Sequence, residues 1–331
     1  MAYDGKILRR AQAQFEEDRA AREENFRRKR ESVYARRPRL KEIDGELRST
    51  MSRIISSALR RGTDPRPAMG VLRDRNLTLQ EERTALLAEL GLPADCLEEK
   101  PLCPLCNDSG FRGEAVCRCL REYYAREQKK ELSRMLDLGN QSFETFSLDW
   151  YPEAADNRLG VSIRQRMERT KDICVDYAYD FNGRSGNLLF TGAPGLGKTF
   201  LSACIARVVS ERGYSVVYDT AVNVFAQFEQ QKFTRDEDGQ AGDGVSRILN
   251  CDLLILDDLG TEMTTSFVQS ALYQIVNTRL MAKKSTIIST NLPPQEIGRR
   301  YQQAVASRIE GEYRIVPFFG EDIRRLKKER G

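Results

Sequence analysis

Residues 192–199 read Gly192-Ala193-Pro194-Gly195-Leu196-Gly197-Lys198-Thr199 and satisfy the spacing G-x-x-x-x-G-K-[ST] between an apolar NLLFT run and a helical FLSACIARVVSERG run. Glycines let such a loop wrap phosphates with its backbone N–H groups, and a helix that starts there turns its positive dipole end to the same anion. Gly192, Pro194, Gly195 and Gly197 would shape the cradle, Lys198 would hold the β and γ phosphates, and Thr199 would give its hydroxyl to Mg²⁺. A second apolar run, Leu253-Leu254-Ile255-Leu256-Asp257-Asp258, ends in two carboxylates. A strand that apolar is buried on both faces, which leaves its acids at the ligand edge of a sheet. Asp257 is expected on the metal side, and Asp258 is placed to orient or polarise an attacking water. Asn291 ends the next strand, Ser289-Thr290-Asn291, and could hold that water or the γ phosphate. Together these residues describe Mg²⁺-dependent ATP hydrolysis.

Four of the eight cysteines crowd into one segment as Cys103-x2-Cys106 and Cys117-x-Cys119. Four thiolates can close a tetrahedral Zn²⁺ site at about 2.3 Å, and with no open position the site would be structural. Gly110 and Gly113 supply the turns between the pairs. Two local disulfides and an iron–sulfur cluster are the competing readings. Cys96 could compete as a ligand, whereas Cys174, Cys204 and Cys251 sit among apolar neighbours as ordinary core residues.

The elements that must position these groups follow from the rest of the 331 residues, a length that suggests about two domains. Lys plus Arg number 53 against 49 Asp plus Glu, a net charge of +4, which is too balanced for a polycation. Histidine is absent, which removes Ser-His-Asp and Cys-His nucleophiles and every His-ligated metal site. MAYDGKILRR lacks an apolar signal region and no stretch approaches a membrane span, so a cytoplasmic protein is expected.

Residues 1–61 carry 17 basic against 10 acidic side chains. Within them Leu40, Ile43, Leu47 and Ile54 fall on one helical stripe, either a partner-facing, coiled-coil-like surface or the inner face of a helix packed on its own domain. After the breaker at 62–65, a capping box of Thr78 and Glu81 predicts a short helix over 78–90, ended by Gly91. From Asn187, strands expected at 187–191, 215–219, 253–257, 286–290 and 314–318 alternate with amphipathic helices, which is the pattern of a parallel α/β sheet. Residues 232–244, KFTRDEDGQAGDG, read as an exposed, mobile loop. The expected division is a helical, partner-binding region over 1–135, a linker and entry helix over 136–186, and an ATPase domain over 187–331.

GAPGLGKT, LLILDDLG, STN at a strand end and a late ASRIEG before VPFFGEDIRRLKK together resemble AAA+ ATPases, specifically the bacterial replicative helicase loaders of the DnaC and DnaI type. FETFSLDWY resembles the entry linker of that family, and CPLCNDSGFRGEAVCRC resembles the cysteine module of its DnaI-like branch. The resemblance covers most of residues 78–331. It implies a five-stranded parallel sheet with the Asn291 strand between the Lys198 and Asp257 strands, and no full helical lid after the last strand. It further implies that Arg308 is an arginine finger reaching the γ phosphate of a neighbouring subunit, and that Arg324 is the second-sensor arginine. The implied partners are the replicative helicase, single-stranded DNA and further copies of the chain. The IstB-like branch, ATPases that partner transposases, shares the same core and stands as the alternative. Lys283 and Lys284 are candidate DNA contacts or a solvated pair, and Trp150 is expected to pack rather than stack on a base.

Overall fold

The computed structural model describes residues 3–59, 66–136, 141–154, 160–233 and 240–330. The chain forms two compact units, Gln14–Cys117 and Met1–Ala13 with Arg118–Gly331. Residues 14–36 of helix α1 (Gly5–Arg36) belong to the first unit with α2 (Pro38–Leu59), α3 (Arg66–Glu89) and the two-stranded hairpin β1 (Phe111–Arg112) and β2 (Ala115–Val116).

In this unit the apolar stripe is used internally. Leu40 and Ile43 are fully buried, and Leu40 packs with Leu87 and Leu97 against Val33 and Tyr34. Of the two readings of that stripe, these two residues satisfy the one in which the helix packs on its own domain; the Ile54 side chain lies outside the described residues. Asp44 pairs with Arg83 at 2.9 Å and accepts the Tyr34 hydroxyl at 2.5 Å, while Arg83 also donates to the Ala94 carbonyl at 2.8 Å. Those extra hydrogen bonds offset the desolvation that a sheltered ion pair incurs.

The expected start of a helix at Thr78 is corrected. Thr78 lies inside α3, and its hydroxyl donates to the Asp74 carbonyl at 3.1 Å rather than capping a helix end. Threonine makes this backward bond within helices as readily as it caps them, so the pattern alone was ambiguous. The helix does stop before Gly91, whose φ of +69° suits the left-handed position after a helix. The breaker at 62–65 lies outside the described residues.

The second unit begins with residues 3–13. The Asp4 carboxylate accepts from the Lys6 and Ile7 amides at 2.7 and 2.9 Å, capping α1, and pairs with Arg247 at 2.8 Å. It continues with α4 (Arg118–Leu136), a 3₁₀ turn at Leu148–Trp150, α5 (Ile163–Tyr179), β3 (Asn187–Thr191), α6 (Lys198–Glu211), β4 (Val216–Thr220), α7 (Ala221–Phe233) and α8 (Gln240–Asn250). There follow β5 (Leu253–Leu259), α9 (Ser266–Met281), β6 (Ser285–Thr290), α10 (Pro294–Tyr301), α11 (Gln303–Glu312), β7 (Tyr313–Pro317) and α12 (Ile323–Arg330). The compact units therefore do not follow a boundary at 135, because α4 packs on α6. The Gln128 amide donates to the Tyr214 carbonyl at 2.7 Å and accepts from the Val216 amide at 3.0 Å, satisfying backbone groups at the start of edge strand β4.

The five strands run parallel in the order β4-β5-β6-β3-β7, with the Asn291 strand β6 between β3 and β5 as the resemblance implied. Alternate residues feed two cores. Leu188, Phe190, Leu253, Ile255 and Ile287 pack under α5 and α6, and Leu189, Leu254, Leu256 and Ile288 pack under α7, α8 and α9. Covering both faces is what makes these strands read as unbroken apolar runs. The mobile loop expected over 232–244 is corrected in part: α7 reaches Phe233 and 240–244 are the first turn of α8, with 234–239 outside the described residues. Val245 and Ile248 are buried in the second core, so tertiary burial wins over a Gly-rich, polar composition. Among the described residues, no helix is long and apolar enough to cross a membrane.

Candidate functional site

The ends of β5 and β6 are offset by a bulge. Leu256 pairs with Ile288 and Leu259 with Thr290, so Asp257 and Asp258 fall where the register shifts. Asp258 takes φ +54°, a left-handed conformation that costs a non-glycine residue about 1–2 kcal/mol. Bulges commonly re-aim side chains at the edge of a site. The Asp258 amide freed from the ladder donates to the Ser289 hydroxyl at 2.9 Å, and the Leu259 carbonyl accepts from the Thr290 hydroxyl at 2.6 Å. Side chains of β6 thus replace the backbone bonds that the bulge removes, and the two carboxylates stay at the sheet edge.

That edge opens into a cavity of about 450 Å³ bordered by the phosphate loop, Asp258, Asn291 and Arg324. Lys198 is buried and spends its three ammonium hydrogens on Gly192 O at 2.6 Å, Ala193 O at 2.8 Å and Asn291 Oδ1 at 2.7 Å. Burial lowers its pKa, while the fields of Asp258 and Asp257 pull it back up. Asp258 goes the other way: burial raises its pKa, Asp257 adds to the rise, and Lys198 and Arg324 oppose it. A polyanion entering the loop would give Lys198 the charged oxygens that it now replaces with carbonyls. Thr199 Oγ1 donates to Asp257 Oδ2 at 3.0 Å. This joins the hydroxyl and carboxylate expected at Mg²⁺, a pair of hard oxygen donors that fits such an ion beside nucleotide phosphates.

The loop is fixed from two sides. Gly195 has φ +74°, and a Cβ built there would lie 1.9 Å from Asp322 Oδ1; its carbonyl accepts from the Ile323 amide at 3.0 Å. Asp322 Oδ1 also accepts from the Arg324 amide at 2.9 Å, capping α12 against the loop. On the other side the Tyr151 hydroxyl donates to the Leu196 carbonyl at 3.0 Å. The cavity is also bordered by Gln141, Phe146 and Trp150, and the Phe146 ring lies against Gly197 of the loop. Trp150 carries Lys327 and Arg330 over its ring, at 5.7 and 4.9 Å from the centroid, so it packs against α12.

The site therefore brings together Gly192, Pro194, Gly195, Gly197, Lys198, Thr199, Asp257, Asp258, Asn291 and Arg324. Arg308 is elsewhere. It donates to Asn277 Oδ1 at 3.1 Å, to the Tyr273 hydroxyl at 3.0 Å and to Ala304 O at 3.0 Å, and its guanidinium lies 4.7 Å from the Tyr273 ring centroid. It does not border its own chain's cavity. Tyr218, Ser289 and Asp322, to which the sequence motifs assign no role, hold the site rather than fill it. A tyrosine inside an apolar strand was the available signal, since a buried phenol needs a partner.

The sulfur atoms of Cys103, Cys106, Cys117 and Cys119 all lie within 4.8 Å of one another. Cys103 and Cys117 sulfurs are 3.7 Å apart, close to the edge of about 3.8 Å that a tetrahedron with bonds of about 2.3 Å requires. The Asp108 carboxylate orients the first pair by accepting from the Cys103 and Leu102 amides at 2.9 and 3.1 Å. Gly110 and Gly113 take φ +77° and +60°, the turn positions expected of them. The arrangement could hold a metal ion and fits the all-thiolate donor set of structural zinc.

Three comparisons bear on this site. The family model for "IstB-like ATP binding protein" matches residues 165–330, just over half of the chain. The replicative helicase loader DnaC of Escherichia coli K12 is 27% identical over 137 residues, which cover 40% of this chain and 54% of that protein. The chain thus spans about half the length of that relative. The insertion sequence IS1162 putative ATP-binding protein of Pseudomonas fluorescens is 26% identical over 204 residues, 62% of this chain and 82% of that protein. Among solved structures, the DnaC helicase loader aligns at a TM-score of 0.43 and 21% identity over 54% of this chain and 98% of that one. With the matched segment spanning α5 to α12 and containing the whole phosphate loop and both carboxylates, the chain belongs to the IstB-like ATP-binding protein family, within the AAA+ class that also includes DnaC.

Proposed function

We propose that the protein is an ATPase that binds a replicative DNA helicase and helps to place it on single-stranded DNA. The observation that carries the ATPase reading is the convergence of Lys198 with Asn291 and of Thr199 with Asp257 at one sheet edge. In the proposed roles, the phosphate loop and Lys198 hold the triphosphate, and Thr199 and Asp257 hold Mg²⁺, which supplies charge neutralisation at the phosphates. Asp258 orients the attacking water, with Asn291 and Arg324 at the γ phosphate. Arg308, held by Tyr273 and Asn277, serves the site of a neighbouring copy. Zn²⁺ on the four cysteines is the structural tie of a partner-binding region built on residues 14–117, and ATP is hydrolysed in the unit that contains residues 118–330. A cytoplasmic location is part of the same proposal. The similarity to DnaC supports helicase loading.

The second reading, an ATPase that partners a transposase, is favoured by the longer match to the IS1162 protein. Incubating the tagged full-length chain with purified hexameric replicative helicase, and separately with an IS21-type transposase, distinguishes them. Retention of the helicase is expected. Retention of the transposase alone would transfer the assignment to the second reading.

A further inference from the structure

Asp257 is held by three hydroxyls from three elements. Thr199 on α6 and Tyr218 on β4 both donate to Oδ2, at 3.0 and 2.8 Å, and Ser289 on β6 donates to Oδ1. The phosphate-loop motif accounts only for Thr199. Tyr218 and Ser289 are almost fully buried, and hydroxyls in that position cost free energy unless they are paired. A carboxylate offers about four lone-pair positions. With three of them engaged, the plane of the Asp257 carboxylate is fixed and one position on Oδ1 is left over. The direction of the Tyr218 proton is also fixed. Tyr218 lies 3.1 Å from Ser202 Oγ, and Ser202 in turn can donate to the Thr199 carbonyl at 3.1 Å, whereas an ionised carboxylate can only accept.

We propose that Tyr218, seconded by Ser289, is a positioning residue that fixes the Asp257 carboxylate for Mg²⁺. The inference rests on the proposed role of Asp257 as the metal-side acid. Magnesium demands a near-octahedral shell and keeps several waters, so it gains from an acceptor that is already oriented. Without the phenol, Oδ2 keeps only Thr199, and the carboxylate can rotate on its Cβ–Cγ bond. Removing partners of this kind from metal sites typically costs about 10- to 100-fold in metal affinity or activity.

The test is the metal's contribution to nucleotide affinity, measured by calorimetry on the full-length chain with a non-hydrolysable ATP analogue in Mg²⁺ and again in EDTA. Tyr218→Phe keeps the ring and removes the donor. The ratio of the two affinities should shrink by about tenfold or more, with the EDTA value unchanged. Equal losses in both buffers, or no change in the ratio, would overturn the proposal. Ser289→Ala should shrink the same ratio and carries the test if Tyr218→Phe does not fold. Asp257→Asn, run in parallel, separates the two layers of the argument. If Asp257→Asn leaves the ratio intact, the metal-side reading itself fails. If it collapses the ratio while Tyr218→Phe and Ser289→Ala leave it alone, only the positioning role is wrong. In the Tyr218→Phe/Asp257→Asn double variant, the tyrosine change should add nothing, and additive losses would contradict an action through Asp257.

Discussion

Gly195→Ala isolates the contact that ties the phosphate loop to α12. The new methyl group would start 1.9 Å from Asp322 Oδ1 and 2.3 Å from its Cγ, against about 3.5 Å or more for comfortable contact. The Asp322 carboxylate would have to retreat, giving up its bond to the Arg324 amide, a helix cap worth about 1 kcal/mol. Alanine at φ +74° adds about 1–2 kcal/mol of left-handed strain. An empty loop can relax away from both penalties, but a loop wrapped on phosphates cannot, so the cost of about 2–3 kcal/mol falls on nucleotide binding. That is a weakening of roughly 30- to 150-fold at 1.4 kcal/mol per decade. Titration of a fluorescent ATP analogue, with thermal unfolding in parallel, reads the effect. Gly195→Ala combined with Asp322→Ala should recover the steric part and not the backbone part. Wild-type affinity in the single variant would refute the claim that the loop must keep this shape to hold nucleotide.

Metal analysis of the purified chain should find about one zinc per molecule, and Cys103→Ser should lose it together with protease resistance around residues 101–119, since metal binding at such sites is folding energy; a brown, iron-containing preparation would contradict zinc. Asp258→Asn should bind ATP with its normal affinity and lose turnover, whereas loss of binding would place that carboxylate at the metal. Arg308→Ala should spare ATP affinity and depress hydrolysis, by up to about 10³-fold or more if it acts as trans arginines do elsewhere. Mixing Arg308→Ala chains with Lys198→Ala chains should restore turnover, and mixtures that co-assemble without rescue would leave Arg308 a packing residue.

The nucleotide site was legible because its chemistry is local in sequence. The loop needs glycines at fixed offsets, and β5 must be apolar up to the residues that meet the ligand, so GAPGLGKT and LLILDDLG announce themselves. Strand positions came within two residues for the same reason, since burial on both faces leaves little freedom of composition. What stayed hidden depends on contacts between distant segments. Thr78 has the spacing of a helix cap and is used inside a helix, because nothing near it in sequence marks where α3 begins. The polar start of α8 is held as helix by Val245 and Ile248 in the core. Tyr218 and Ser289 meet Asp257 only because β4, β5 and β6 are neighbours in the sheet, and no spacing along the chain encodes that adjacency. Residues 3–13 meet their unit through contacts of the same long-range kind, Asp4 with Arg247 and Arg10 with Glu131.

Lys198 is the centre of the nucleotide site, its ammonium reaching the loop carbonyls and Asn291 together. Phosphate release from ATP by the full-length chain, measured with Mg²⁺ and compared with Lys198→Ala at matched concentration, should show turnover that requires Mg²⁺ and falls to background in the variant. Equal rates for the two chains would contradict the assignment of this cavity as the place where ATP is bound and hydrolysed.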